Sequence, residues 1–287
     1  MISVVIPLYN KEKSILSTVQ SVLKQTYPDF ELIIVNDGST DNSLKVVKTI
    51  EDERVKIVDK ENGGVSSARN AGILASGNNY IAFLDGDDLW CEYHLETIVD
   101  LISSYPSSEV AGYGTRFYKS GGSGQGGYIK RDKHYLLENY FASQATPRPL
   151  FNSSSFAIRK DILAETGLFN ERLSYGEDVE FWYRVFRKYK LAMSESITST
   201  YQLQAENRSV HRIMPIHKRF HEFDYKNASK QEVAYLDKLV ALLVLDYSMQ
   251  RDYKTVAQIL KMYVDRIPFF PTYYLQLMLK KIKKEKV

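Results

Sequence analysis

The sequence predicts an α/β fold, a doubly wound and mostly parallel sheet with a C-terminal helical extension. Two observations predict it. Through the first half, short β-branched apolar runs alternate with segments whose apolar residues recur every 3.6 positions. After Val210 only the helical period remains. The first strand is Ser3–Pro7, an apolar run without alternation, as expected of a strand covered on both faces. Asn10 is placed to cap a helix carrying Ile15, Leu16, Val19, Val22 and Leu23, which Tyr27-Pro28-Asp29 stops. Phe30–Val35 is the second strand. Ser39, Thr40 and Asp41 open a helix with Leu44, Val46, Val47 and Ile50. Val55–Val58 is the third strand, and Gly63-Gly64 lead into a helix that runs through Ala75. Tyr80–Leu84 and Val110–Phe117 complete the predicted sheet. Lys119–Gly127 is a flexible glycine-rich loop that reads either as a mobile lid or as a plain insertion. Glu232–Tyr247 and Asp252–Val264 read as amphipathic helices. The expected division is a sheet domain over residues 1–210 and a helical region over 211–287.

In such sheets ligands bind beyond the carboxyl ends of the strands. The polar clusters fall at those ends: Tyr9 and Asn10 after the first strand, Asn36-Asp37-Gly38-Ser39 after the second, Asp85-Gly86-Asp87-Asp88 after the fourth. Loop residues scattered without purpose would not collect on one edge.

Composition narrows the class. The chain has 287 residues, 44% hydrophobic and 25% charged, which suits one substantial domain with an appendage. A net charge of +3 fits anionic substrates or an anionic surface and is too weak to argue for nucleic acid. Cys91 is the single cysteine, so no intrachain disulfide and no thiolate metal cluster can form. Met1 leads directly into Ile2-Ser3-Val4-Val5-Ile6, which reads as a buried strand and not as a signal peptide. No apolar run approaches the roughly 20 residues that span a bilayer. The expected location is cytoplasmic.

Asp85, Asp87 and Asp88 crowd three carboxylates into one turn, an arrangement that calls for a cation or compensating hydrogen bonds. A hard divalent ion held by one or two carboxylates and by substrate phosphates is the usual answer. Asp88 also reads as a cap for the following helix. A calcium loop fails, because Leu89 and Trp90 stand where a ligand and a glycine are needed. Gly176-Glu177-Asp178 opens a second helix with Phe181, Trp182 and Phe186 as its buried stripe. That pair reads either as an acidic first turn or as a general base for an attacking hydroxyl.

Taken in order, Val4-Val5-Ile6-Pro7-Leu8-Tyr9-Asn10, Val35-Asn36-Asp37-Gly38-Ser39-Thr40-Asp41, Asn62-Gly63-Gly64 with Ala68-Arg69-Asn70, Phe83-Leu84-Asp85-Gly86-Asp87-Asp88 and Gly176-Glu177-Asp178 resemble the inverting family 2 glycosyltransferases of GT-A fold. The resemblance covers roughly residues 1–210. It implies that Pro7 and Tyr9 line a nucleobase pocket, with Tyr9 against the ring, and that Asp37 accepts a hydrogen bond from the base, commonly uracil. It implies Arg69 near the base or the phosphates and Asp85 near the ribose or the metal. Asp87 would hold the divalent ion, Mn2+ or Mg2+, that bridges the diphosphate. Asp178 would be the catalytic base, with Glu177 orienting the acceptor or the base.

The implied activity is metal-assisted single displacement, moving a hexose or N-acetylhexosamine from a UDP-sugar to a saccharide or lipid-linked saccharide in cell-surface polysaccharide synthesis. A non-catalytic nucleotide-sugar-binding protein of the same fold is the alternative. A sugar-phosphate nucleotidyltransferase would carry a glycine-rich basic loop where this chain has Leu8-Tyr9-Asn10-Lys11-Glu12, and no G-x-G-x-x-G follows a strand as a dinucleotide dehydrogenase requires. The family's phosphate-closing segment matches poorly here. Tyr201, Asn207, Arg208 and His211 within YQLQAENRSVH are its candidates, Arg208 as a phosphate contact and His211 as a further metal ligand. Finally, Ile267-Pro268-Phe269-Phe270-Pro271 and Tyr273–Leu279 precede Lys280, Lys281, Lys283, Lys284 and Lys286. This pattern suits either a terminal packed helix or peripheral contact with anionic lipid.

Overall fold

The structure is a computed structural model and describes residues 1–121, 127–144, 150–207 and 214–269. Arg208, His211 and the lysine-rich tail from Phe270 onward lie outside the described residues, as does the middle of the glycine-rich loop. Two compact units are present. One comprises Met1–Glu138 with Pro149–Val210, and the other Asn139–Arg148 with His211–Val287.

The first unit opens with β1 (Ile2–Leu8), α1 (Ile15–Leu23), β2 (Phe30–Asp37), α2 (Ser43–Lys48), β3 (Val55–Lys60), α3 (Val65–Ala75) and β4 (Tyr80–Phe83). β5 (Leu89–Trp90), α4 (His94–Ser104), β6 (Val110–Ser120) and β7 (His134–Leu137) follow, then α5 (Tyr140–Gln144) of the second unit. The first unit resumes with β8 (Phe156–Arg159), α6 (Leu163–Thr166), α7 (Glu177–Phe186) and β9 (Lys190–Gln202). The sheet runs β3-β2-β1-β4-β8-β6-β9-β5, with β7 also on β9. The expected parallel half is β3-β2-β1-β4, and β6 and β9 form a second parallel pair. β8 runs antiparallel between β4 and β6, while β5 and β7 run antiparallel to β9.

Both faces of the parallel half are covered, which explains the unbroken apolar runs. Val4, Ile6, Leu8, Leu32 and Ile34 pack with Ile15, Val19 and Val22 of α1 and with Leu95 and Ile98 of α4. Ile33 and Val35 point the other way, toward Ala68 of α3. Gly72 brings α3 close to β1, since a Cβ there would lie 2.3 Å from Val5 Cγ1. Leu16, expected in the apolar stripe of α1, is 43% exposed.

Asn10 does not cap α1. The helix begins at Ile15, and Asn10 takes a left-handed turn (φ 51) that stitches the β1–α1 loop to the β2–α2 loop. Its Oδ1 accepts from the Thr40 amide at 2.8 Å, and its own amide donates to Ser39 Oγ at 3.1 Å. The amides of Lys11 and Glu12 continue the seam onto Ser43 Oγ and Asp41 Oδ2. Two polar edges are thereby fixed side by side.

In the second unit the two expected helices are α8 (Lys230–Met249) and α9 (Tyr253–Met262). Ser229 Oγ caps the first by accepting from the Glu232 amide, and Asp252 caps the second through the Thr255 amide. Tyr140 and Phe141 of α5 pack against Tyr235 of α8. Among the described residues no helix is long and apolar enough to cross a membrane.

Candidate active site

The carboxyl ends of β2 and β4 and the first turn of α7 carry the acidic residues singled out in the sequence, and Tyr9 and Asn10 follow β1. Asp37 ends β2 and is 2% exposed. Its Oδ1 accepts from Lys60 Nζ at 2.7 Å and from the Gly63 amide at 2.9 Å, and its Oδ2 from the Gly64 amide at 2.8 Å. The chain can turn there because Gly38 takes φ 67, and a Cβ on Gly38 would stand 2.8 Å from the Asn62 nitrogen. Tyr9 lies just beyond β1 with 39% of its surface exposed, and Pro7 is half-buried beside it.

Asp85, Asp87 and Asp88 have separate partners. Asp85 Oδ1 accepts from Arg69 Nη2 at 2.8 Å, and Asp87 Oδ2 from Lys11 Nζ at 2.6 Å. Burial raises the Asp87 carboxyl above its usual range, Lys11 pulls it down, and the charges of Asp85 and Glu206 push it up again. Asp88 is fully buried and does not cap a helix. It accepts from Ser154 Oγ at 2.5 Å and from the Gln202 amide at 3.0 Å, tying the acidic turn to the exit of β9. Burial and the charges of Asp85 and Asp87 push its carboxyl well up.

Arg69 joins the two acidic groups. This α3 side chain is 3% exposed, with Nη2 on Asp85 and Nη1 on Glu177 Oε1 at 3.1 Å, and its guanidinium lies over the Phe169 ring. Burial disfavours its charge, but Asp85, Glu177 and Asp178 outweigh that and raise its pKa. The resemblance implied a place for Arg69 by the base or the phosphates; here both of its terminal nitrogens are engaged by carboxylates. Glu177 and Asp178 form the first turn of α7 behind Gly176, whose φ is 76. Stacking of Phe181 on Phe169 holds that turn in place, and Phe181, Trp182 and Phe186 are buried as the sequence indicated. Asp178 is half-buried and accepts from the Val179 amide at 2.7 Å. Burial and the neighbouring Glu177 charge push its carboxyl up to about 7, with Arg69 opposing them.

Sequence reasoning missed Lys11, Lys60, Ser154 and Glu206. Glu206 Oε1 accepts from the amides of Lys13 and Ser14 and from Ser14 Oγ, and so caps α1 from the far end of the unit. Its carbonyl takes Lys11 Nζ at 2.5 Å, while Asn207 Nδ2 donates to the Tyr9 carbonyl at 3.2 Å. Only the adjacency of Lys60 to Asn62-Gly63-Gly64 was visible beforehand; the other contacts join residues 66 to 198 positions apart.

Among the described residues no group of three or more His, Cys, Asp or Glu is arranged to hold a metal ion. Asp85 and Asp87 nevertheless suit a hard divalent ion. Arg69 and Lys11 each take one carboxylate oxygen, and among the described residues the second oxygen of each is unclaimed. A site with two carboxylates is completed by phosphate oxygens and water.

Comparison with known proteins identifies the family and the fold. The model of glycosyl transferase family 2 matches residues 3–167. Glycosyltransferase GlyG of Streptococcus pneumoniae serotype 4 is 33% identical over 178 residues, covering 60% of this chain and 58% of that protein. An uncharacterized glycosyltransferase of Rickettsia conorii is 30% identical over 212 residues, 73% of this chain but 35% of its own length. The chain thus spans about a third to three-fifths of these relatives. Among solved structures, the crystal structure of S. aureus TarS 1-349 covers 92% of this chain and 91% of its own, with a TM-score of 0.59 at 18% identity, and shares the GT-A fold. A complex of the same protein with UDP-GlcNAc aligns at a TM-score of 0.59 and 19% identity. With the family model matching more than half its length, this chain belongs to glycosyl transferase family 2.

Proposed function

We propose that the protein is an inverting glycosyltransferase that moves a hexose or N-acetylhexosamine from a UDP-sugar to a hydroxyl of a saccharide or lipid-linked saccharide. One observation carries the reading. The buried Arg69 pairs with Asp85 at the end of β4 and with Glu177 in the first turn of α7, which joins the strand-end carboxylates to the acidic turn. A donor-binding group and a proton acceptor are the two things single displacement needs close together. TarS structures with UDP-GlcNAc and UDP, on the same fold, support the donor class.

Asp178 is the base. A carboxyl held near 7 is half-ionised at neutral pH and basic enough to take the proton of the acceptor hydroxyl as its oxygen attacks the anomeric carbon. The bond to the nucleoside diphosphate breaks on the opposite face, so the anomeric configuration inverts. Glu177, fixed by Arg69, orients the acceptor and keeps Asp178 from being fully ionised. Asp87 and Asp85 would hold a divalent ion, which when bound supplies neutralising charge to the leaving diphosphate. Tyr9 and Pro7 face the base, and Asp37 accepts its N–H.

The test is Asp178→Asn. The enzyme loses turnover of UDP-sugar while UDP still raises the melting temperature in the presence of manganese. A variant that keeps turnover removes Asp178 from the mechanism, and a wild-type protein that binds UDP without turnover favours a non-catalytic sugar-nucleotide binder. Failure of every nucleoside diphosphate to shift the melting point rejects the donor reading.

A further inference from the structure

The parallel register sets Leu8 of β1 against Asn36 of β2 and Asp37 of β2 against Lys60 of β3. Tyr9 follows Leu8, so Tyr9, Asp37 and Lys60 come together at one end of three adjoining strands. Their hydrogen-bonding capacity is unequal. Asp37 Oδ1 is occupied by Lys60 Nζ and the Gly63 amide, whereas Oδ2 takes the Gly64 amide alone among the described residues. A carboxylate oxygen accepts more than one hydrogen bond, so Oδ2 keeps an open acceptor site. Lys60 Nζ donates to Asp37 and to the Glu61 carbonyl at 2.6 Å, which leaves the ammonium one further donor. The Lys60 side chain is 25% exposed and that of Asp37 3%. An acceptor and a donor therefore belong to one bonded pair at the strand end that the exposed Tyr9 also shares by register. The other cation associated with the donor site, Arg69, has Nη1 and Nη2 committed to Glu177 and Asp85.

We infer that Lys60, working beside Asp37, selects the nucleobase of the donor by its hydrogen-bonding edge. The pair takes a base that presents an N–H next to a carbonyl, as uracil, thymine and guanine do. The N–H donates to Asp37 and the carbonyl accepts from Lys60. Cytosine and adenine present the reverse, a bare ring nitrogen next to an amino group. Each would set a lone pair against the carboxylate and an amino group against the ammonium. Discrimination then comes from two mispaired polar groups on the wrong base as well as from two good bonds on the right one. The inference rests on the reading of the chain as a nucleoside-diphosphate binder and names a residue that sets which nucleotide it accepts.

The experiment is isothermal titration of the full chain with UDP, dTDP, GDP, CDP and ADP in the presence of manganese. It is carried out on the wild type, Lys60→Met and Lys60→Arg, with Lys60→Gln replacing the Met variant if that one does not fold. UDP is expected to bind at least tenfold more tightly than CDP. Lys60→Met should weaken UDP on the order of tenfold and leave CDP unchanged or tighter, collapsing the ratio. Lys60→Arg should keep it. The dTDP and GDP arms show which carbonyl-edged base the pocket admits. Equal binding of UDP and CDP by the wild type overturns the inference and leaves the proposed function standing. So does a Lys60→Met variant that weakens UDP and CDP by the same factor, because Lys60 would then merely neutralise Asp37. No binding of any nucleotide rejects the proposed function, and the inference with it.

Discussion

Asp178→Asn should make the protein more stable at alkaline pH while it abolishes turnover. The Asp178 carboxyl is raised from 3.8 to about 7 in the folded chain. The folded state thus holds this proton more tightly than the unfolded state does, and burial beside Glu177 disfavours the ionised carboxylate. That penalty is absent below about pH 3, where both states are protonated. It grows as pH rises through the folded value and is complete above it. A shift of roughly three units corresponds to about 4 kcal/mol at full strength. The carboxyl is half-buried, and solvent screening brings the expected figure to about 2 kcal/mol. Asparagine removes the charge and keeps the bond from the Val179 amide, because its carbonyl still accepts. At 2–4 °C per kcal/mol, the variant should melt roughly 4–8 °C above the wild type at pH 8.5. At pH 4.5 the gap should shrink to about a quarter of that value. Differential scanning calorimetry at the two pH values measures it. A gap that does not grow with pH, or a variant less stable than the wild type at pH 8.5, refutes the argument that Glu177 and burial hold this proton.

The remaining predictions follow from the same geometry. The pH profile of kcat/KM should lose activity tenfold per unit below about pH 7, since only ionised Asp178 can accept the proton; a profile flat down to pH 5 would count against it. Arg69→Met strands Asp85 and Glu177 without their shared cation and should cost about 3–5 kcal/mol, read by chemical denaturation. Asp87→Asn should remove the manganese dependence of the UDP-induced thermal shift, and chelation of the wild type should do the same. Gly72→Ala pushes a methyl into Val5 and should lower stability by about 1–3 kcal/mol without altering nucleotide affinity.

The parallel half of the sheet was legible because both of its faces are buried. β1 and β2 carry consecutive apolar residues, and short, β-branched runs such as Leu32-Ile33-Ile34-Val35 favour a strand buried on both faces. β9 escaped notice for the opposite reason. Its Ser194, Ser196, Thr198, Ser199 and Thr200 are all buried, yet hydroxyl-bearing residues give no hydrophobic signal. β8 is four residues long and β5 two, too short for any period to show. α4 could have been found, since Leu95, Ile98 and Leu101 repeat on one face. At the site, acidic residues clustered in sequence were visible, but their counter-charges were not. Lys11 reaches Asp87 across 76 positions, and Arg69 reaches Glu177 across 108. Pairings of that range are set by the crossing of strands and helices, which local patterns do not encode. Asp88 looked like a cap because caps and buried anchors draw on the same residue type, and only burial separates them.

The stretch that leaves β9 has a practical consequence for anyone who would graft a different downstream region onto this sheet. Gln202 is fastened to Asp88, Leu203 to Ser120, Glu206 to the start of α1, and Asn207 to Tyr9. A hybrid spliced at the end of the strand would discard the glutamate that seals a helix laid down at the opposite end of the first unit. The workable seam lies after Asn207, where the last of these fastenings has been made.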